Sequence, residues 1–214
     1  MKASDRSKIA EVQALATQHV KVKCAGSWVY AEVVPNMDEV QRRRSIGCVE
    51  IPEDLETLDV LLRVPLDGAV SEAVLSRRER DKLRRLSPGL VHFDIDSTGK
   101  RTVHRIVVPP ASVQHVMLRG RNWATALTQA TRFAPYCRRS ILLPSIPADE
   151  EMLLLEARFY GVGVGVDTGG GEAPTWLLEP APFVPERFTG ASWEFAESFF
   201  EAWRSAQVPA GTAT

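Results

Sequence analysis

The sequence predicts an α/β protein in which helices pack on a central β-sheet. The strongest evidence is the stretch of residues 113–166, whose pattern alternates strand, helix, strand, helix, strand. Two further segments, residues 20–34 and residues 90–108, have the period-two alternation and the central turn of β-hairpins. Hydrophobic residues make up 44% of the 214 residues and charged residues 25%, which is typical of a globular domain.

Bulk charge and composition exclude several classes of protein. A net charge of −1 gives no global attraction to nucleic acid or to an anionic membrane, so any such attraction must be local. No apolar run approaches the roughly 18 residues that a membrane span needs, and no apolar signal segment is visible near the first residue. Cys24, Cys48 and Cys137 form no CxxC pair. We therefore expect reduced thiols, a cytoplasmic location and no membrane partner.

Residues 1–70 are predicted to form an extension of a helix and a hairpin. The helix begins at Ser4 or Asp5, either of which can cap it, and continues to about His19. The hairpin of residues 20–34 turns at a glycine and a serine.

Charged residues in this extension indicate surfaces in contact with water. Lys21 and Lys23 alternate on the first hairpin strand, so they share one face that we expect to be wet. Residues 42–44 are three consecutive arginines in a short charged helix or loop, and we expect a solvated surface there. The apolar spacing of residues 53–64 predicts a further helix.

The most basic segment is a predicted helix over residues 71–86. Six basic and two acidic residues lie between positions 77 and 85. Such a helix can cover a surface with its long apolar stems, or it can contact phosphates. The candidate nucleic-acid contacts are the cations of this helix and of the turn after residues 113–118: Arg77, Arg78, Arg80, Lys82, Arg84, Arg85, Arg119 and Arg121.

The second half of the chain supplies the main predicted core. Strands are expected at residues 90–96, 102–108 and 113–118, followed by an amphipathic helix that Pro135 ends. A buried strand ends at Pro144, and the next helix is apolar enough to pack on more than one side. The glycines of residues 161–166 follow a helix, so they favour a closely packed strand over a phosphate loop.

The C-terminal segment is predicted to be an aromatic helix over residues 191–206, capped by Ser192, with a disordered tail at residues 207–214. A last short strand precedes it at residues 175–179. One face of the helix is apolar and needs cover, either on the core or in a homodimer. That face carries Trp193, Ala196, Phe199, Phe200 and Trp203.

From residue 71 to residue 190 the order of elements resembles the core of the restriction-endonuclease-like, or PD-(D/E)xK, nuclease superfamily. The positions that match a branch of this superfamily lie in the helix after the third strand and in the two strands that follow: Trp123, Ala126, Leu127, Gln129, Ala130, Phe133, Pro144, Gly161 and Gly163. Gln129 and Phe133 are also similar to the QxxxY element of some members. The resemblance implies an αβββαβ core with a central mixed sheet.

The catalytic positions of this superfamily depart from its pattern. The resemblance implies carboxylates on the second and third core strands that hold Mg²⁺, with a lysine beside the attacking water. The expected second strand has no carboxylate, and His115 and Met117 stand where glutamate and lysine would be. We therefore expect no cofactor or metal, unless relocated ligands hold Mg²⁺. The candidate catalytic residues are Glu79, Asp94, Asp96, His115 and Gln129.

The leading expectation is a non-catalytic restriction-endonuclease-like module that binds DNA, RNA or a protein partner. One alternative is a nuclease that depends on a divalent metal. Another is a regulatory subunit that dimerises through its C-terminal helix. A winged-helix protein is also possible, with residues 77–86 as the recognition helix and the hairpin of residues 90–108 as the wing.

Overall fold

The computed structural model describes residues 18–24, 26–47, 51, 54–87, 89–167 and 173–207. The predicted first helix up to residue 17, Cys48 and residues 208–214 of the predicted tail lie outside these ranges. The chain divides into two units. The first contains the described residues up to Pro35, residues 111–186 and the chain from Phe199 onward. The second contains residues 36–110 and 187–198.

The first unit is built on a mixed six-stranded sheet. Its described strands are β1 (Gln18–Cys24), β2 (Ser27–Pro35), β6 (Ala111–Arg119), β7 (Arg138–Leu143), β8 (Gly163–Val166) and β9 (Thr175–Leu178). Two helices connect the parallel strands: α4 (Trp123–Thr131) joins β6 to β7, and α5 (Glu150–Tyr160) joins β7 to β8. The fold is therefore mixed α/β with a central mixed sheet, as the sequence predicts.

The strand order of this sheet is β1-β2-β6-β7-β8-β9. Strand β6 is antiparallel to β2 and parallel to β7, and β7 is parallel to β8. This order corrects the expectation that the strands at residues 90–96, 102–108 and 113–118 are the three consecutive strands of one αβββαβ core. The N-terminal hairpin takes the place beside β6, although 75 residues separate Pro35 from Ala111.

One face of the six-stranded sheet carries most of the first unit's core. Helices α4 and α5 pack on the sheet. The buried side chains of this face come from five strands: Val20, Val29, Ala31, Val33, Val116, Leu118, Ile141 and Val164. Burial of this many aliphatic side chains is the main force that holds helices and sheet together.

Glycines in β8 permit close packing, as the sequence predicts. A Cβ on Gly163 would overlap Ser140 Oγ and would lie 2.8 Å from Cδ of Pro180. Gly161 is not part of the strand, because it ends α5 in a left-handed conformation with φ of +67°. Only glycine adopts that conformation without strain.

Helix α5 is packed on one side only, which corrects the expectation of burial on several sides. Leu153 and Ala157 are buried, whereas Met152, Leu155 and Phe159 are exposed. The continuous apolar run of this helix therefore reflects apolar side chains on its solvent-facing side as well as on its packed side.

The second unit combines helices with a small antiparallel sheet. Its described elements are α1 (Met37–Ser45), α2 (Leu55–Arg63), β3 (Val70–Ser71), α3 (Arg77–Arg84), β4 (Val91–Ile95) and β5 (Arg101–Arg105). The three strands have the order β3-β5-β4. The predicted helix of residues 71–86 is shorter than expected, because Ser71 ends β3, a 3-10 turn covers Glu72–Val74, and α3 begins only after Ser76.

Helix α6 (Gly190–Gln207) contributes its first half to the second unit and its second half to the first. It begins before Ser192, whose backbone N–H donates to Oγ1 of Thr189, so the predicted cap at Ser192 is wrong. Its five apolar face residues from Trp193 to Trp203 are all buried. The face that suggested a homodimer is thus covered within the chain. Gln207, placed by prediction in a disordered tail, belongs to this helix.

None of the helices in the described part of the chain is long and apolar enough to cross a membrane.

Candidate functional site

The start and the orientation of the basic helix α3 are determined by residues within and next to it. Ser76 Oγ accepts from the backbone N–H of Glu79, and the Glu79 carboxylate accepts from the backbone N–H of Ser76, which together form a capping box. Leu83 anchors the inner side and is fully buried. Arg77 and Arg78 point away from it, with side chains 91% and 76% exposed.

Carboxylates from neighbouring elements balance part of this charge. Arg78 pairs with Glu56 at 2.7 Å, Lys82 with Asp54 at 2.8 Å, and Arg84 with Glu72 at 3.0 Å. The hydrogen bond from Lys82 is the main cause that lowers the pKa of Asp54 to about 2. Arg77 is only weakly paired, since its Nε lies 3.9 Å from Oδ2 of Asp81. The segment is therefore less cationic than its sequence suggests.

Two clefts lie along different flanks of α3. One has a volume of about 480 Å³ and is lined by Arg77, Arg78, Asp81, Lys82 and Arg85. The other has a volume of about 470 Å³ and is lined by Ser71, Glu72, Ala73, Arg80, Arg84, Lys100 and Arg101. Arg85 and Arg101 are exposed and have no carboxylate partner among the residues that the structure describes. Each cleft thus offers an uncompensated guanidinium.

The candidate catalytic acids of the second unit each have a local structural role. Glu79 caps α3 and pairs with Arg63. Asp94 accepts from the backbone N–H of Ile95, and Asp96 Oδ1 accepts from the backbone N–H of Thr98 at 2.8 Å and organises the hairpin turn. No group of three or more metal-ligating residues exists in the described part of the chain. Glu79, Asp94 and Asp96 are each held by separate local contacts.

The other two candidates lie in the first unit. Gln129 is a half-buried residue of α4. His115 is buried in the middle of the sheet, where its Nε2 lies 2.8 Å from Oγ of Ser140. Its Nδ1 lies 3.6 Å from Oε1 of Glu32, and the guanidinium of Arg138 lies 3.6 Å from Oε2 of the same carboxylate.

The pKa of Glu32 is lower than its ordinary value, and the interaction with His115 is the largest cause. Burial opposes this shift, while the charge of Arg138 adds to it. The carboxylate is therefore stabilised in its ionised form by a cluster that spans three strands.

The sequence of contacts from Ser140 to His115 to Glu32 has the order of a hydrolase triad. Oγ of Ser140 is nevertheless inside the sheet: the residue is 0% exposed, and a Cβ on Gly163 would overlap this oxygen. A nucleophile must reach its substrate. Ser140 is therefore not placed to attack a substrate, and the three side chains form a largely buried polar network.

A smaller cleft of about 280 Å³ lies at the carboxyl ends of the parallel strands β6, β7 and β8. Arg119 and Arg121 line it, as the sequence indicates for the turn after β6. Arg119 forms an ion pair of 2.5 Å with the largely buried carboxylate of Asp167 and also lies over the ring of Tyr30. Arg121 is exposed.

Sequence reasoning missed Glu32 and Ser140 as partners of His115. Neither residue lies near His115 in the sequence, and the sequence pattern predicts the wrong hairpin beside β6. With the observed register, in which Glu32 faces His115 across β2 and β6, the relationship is direct. The pairing register of β2 and β6 would have identified Glu32 as a partner of His115. That register can be derived only when the strand beside β6 is known.

Compared with protein-family models, with curated proteins and with solved structures, the chain has no match.

Proposed function

We propose that this chain is a nucleic-acid-binding protein whose second unit docks on a duplex through α3 and the β4–β5 hairpin. The observation that carries the proposal is the pair of cationic clefts on two flanks of α3, one of which includes Lys100 and Arg101 from the hairpin. Arginine and lysine side chains at such positions can neutralise successive phosphates.

The arrangement of elements supports a winged-helix mode of docking. Helix α3 leads into β4, the β4–β5 hairpin follows, and the short strand β3 completes the sheet on the far side of β5. In this mode α3 enters a groove and the hairpin turn of residues 96–100 contacts the backbone.

The ion pairs on α3 do not prevent this interaction. Arg78 and Glu56 are both substantially exposed, and an exposed pair of this kind contributes roughly 0–1 kcal/mol. A phosphate can therefore replace the carboxylate as partner of Arg78. Arg85 and Arg101 need no such exchange, because no carboxylate pairs with them in the described residues.

We also propose a restriction-endonuclease-like core in the first unit. Its first two strands differ from those that the sequence indicates. With residues 36–110 set aside, the order strand, strand, strand, helix, strand recurs in β1, β2, β6, α4 and β7. The second of these strands then carries Glu32, beside His115 on the third. One carboxylate and one buried imidazole are too few hard ligands for Mg²⁺. The order of elements supports the scaffold, and the nuclease reaction is not part of the proposal.

Binding of a duplex of about 20 base pairs, measured by fluorescence anisotropy over a salt series, tests the proposal. The informative variant is Arg85→Ala/Arg101→Ala, which removes one guanidinium from each cleft and breaks no described carboxylate pair. We expect weaker binding and a salt slope smaller by about 1.8, at roughly 0.9 per lost phosphate contact.

The matched control is Arg44→Ala, which removes an exposed arginine of α1 in the same unit. Affinity of the control should equal that of the wild type. Failure of the wild type to bind at about 50 mM salt would exclude duplex binding, and equal loss in the control and the double variant would exclude this surface.

A further inference from the structure

The second face of the six-stranded sheet has a composition unlike the first. The register places Lys21 opposite Tyr30 and Lys23 opposite Trp28, so these four side chains share a face of the hairpin. Tyr30 in turn faces Met117 of β6, and Arg119 is two residues further on, on the same face. The group Lys21, Lys23, Trp28, Tyr30 and Arg119 is called the aromatic–cationic face below.

Four of the five side chains of this face are exposed, and Tyr30 is half-buried. Trp28 is 58% exposed, which is unusual for the largest apolar side chain. Lys21, Lys23 and Arg119 are exposed as well, as expected from the alternation of the two lysines. Most buried aliphatic residues of the sheet lie on the opposite face, where α4 and α5 pack. An exposed indole beside a half-buried phenol ring on a regular strand indicates an interaction surface.

The charge of the face is positive. Its cations are joined by Arg138 at the neighbouring position of β7, across from His115. The acids beside them are Glu32, whose carboxylate lies 3.6 Å from Arg138, and Asp167, which pairs with Arg119. Lys21 and Lys23 have no carboxylate partner among the described residues. A polyanion therefore complements this surface.

Cations and rings already interact on this face. Nζ of Lys21 lies 5.1 Å from the ring centre of Trp28 and 5.7 Å from that of Tyr30. The guanidinium of Arg119 lies 4.7 Å from the ring centre of Tyr30. These are weak, exposed cation–π contacts of roughly 0.5–1 kcal/mol. A base that stacks on either ring can displace Lys21, and the freed ammonium can then contact a phosphate.

We infer that the aromatic–cationic face binds single-stranded nucleic acid, with bases stacked on Trp28 and Tyr30 and phosphates bound by Lys21, Lys23 and Arg119. The two rings lie two residues apart on one strand, roughly 7 Å along it. Rings on a sheet surface can stack only on bases whose faces are free, which a duplex does not offer. The inference concerns the first unit, and it stands independently of duplex binding by α3.

Fluorescence anisotropy with a labelled oligothymidylate of about 20 nucleotides tests the inference. Trp28→Ala should weaken binding about 5-fold to 150-fold, the equivalent of one lost stacking interaction, while Trp28→Phe should retain most of the affinity. Lys21→Ala/Lys23→Ala should lower the salt slope by about 1.4, since each lost contact to a single strand contributes roughly 0.7.

Matched controls lie on α5. Phe159→Ala removes a ring that is 83% exposed, and Arg158→Ala removes an exposed cation. Both variants should bind the oligothymidylate as the wild type does. Because the substituted side chains are exposed, none of these changes is expected to unfold the chain.

Two outcomes would overturn the inference. One is absence of oligothymidylate binding by the wild type at about 50 mM salt. The other is a Trp28→Ala variant that binds no more weakly than Phe159→Ala. Arg85→Ala/Arg101→Ala serves to separate the two surfaces: it should retain oligothymidylate affinity while it loses duplex affinity. Loss of oligothymidylate binding in that variant, with Trp28→Ala unaffected, would move the single-strand site to the second unit.

Discussion

The guanidinium of Arg43 donates to both carboxylate oxygens of Glu197, each at 2.8 Å, across 154 positions of the chain. The same guanidinium donates from Nε to Glu39 at 2.7 Å and from Nη2 to the carbonyl oxygen of Val108 at 2.9 Å. Arg43 is 1% exposed. A buried guanidinium with several hydrogen bonds thus joins α1, α6 and the chain just after β5 within the second unit.

Arg43→Ala should destabilise the second unit by about 3–5 kcal/mol, because it leaves Glu39 buried without one of its partners. Urea denaturation followed by circular dichroism measures this loss. The neighbouring variant Arg44→Ala removes an exposed arginine and should change stability by less than about 0.5 kcal/mol. Equal effects of the two substitutions would show that the Arg43 network contributes little.

The burial of Arg43 is a property that the sequence does not predict. Residues 42–44 were expected to form a solvated surface, and Arg44 does. Arg43 does not, because α1 turns it toward Glu39 and a helix much later in the sequence brings Glu197 to it. Charge pattern predicts exposure on average. It cannot supply a partner that only tertiary folding places there.

Strands were easier to predict than their pairing. The alternation of residues 90–108 correctly predicts β4 and β5, and the run at residues 138–143 correctly predicts β7. Alternation is a local property. Which hairpin lies beside β6 depends on chain connectivity over residues 36–110, which no short-range pattern contains. The positions of Glu32 and of the aromatic–cationic face depend on that pairing.

Gly163→Ala should destabilise the first unit by roughly 1–3 kcal/mol. The added methyl group would meet Ser140 Oγ and the backbone nitrogen of Pro180, which lies 2.9 Å away and cannot move aside without shifting the chain. Gly165→Ala is the comparison on the same strand. Its methyl group would meet the flexible end of Leu142 at 2.8 Å, so a smaller loss is expected. Thermal or urea unfolding measures the loss of stability in both variants. A larger loss in Gly165→Ala than in Gly163→Ala would refute the prediction.

Cys137 should be unreactive toward thiol reagents in the folded chain. Burial raises the pKa of its thiol to about 12, so at pH 8 only about one molecule in ten thousand carries the reactive thiolate. Alkylation with iodoacetamide, followed by peptide mass spectrometry, measures each cysteine separately. Half-buried Cys24 is the internal comparison and should react first. Modification of Cys137 should appear only after denaturation, and equal labelling of the two thiols in the native chain would contradict its burial.

Stability at acidic pH should depend on Glu32. Because its interaction with His115 lowers its pKa below the ordinary value of 4.5, the folded chain binds a proton at Glu32 less readily than the unfolded chain does. The carboxylate therefore contributes stability that is fully present above pH 4.5 and is lost as the pH falls through the lower, folded-state pKa.

Urea titrations between about pH 3 and pH 7 test this dependence. The Glu32→Gln variant should be less stable than the wild type at neutral pH, and the difference should shrink toward the acidic end as the wild type loses the same charge. The control is Glu186→Gln, which changes an exposed carboxylate of the first unit and should follow the wild-type curve. A constant difference between Glu32→Gln and the wild type at every pH would show that the side chain stabilises the sheet by packing, since only an ionised carboxylate produces a difference that depends on proton binding.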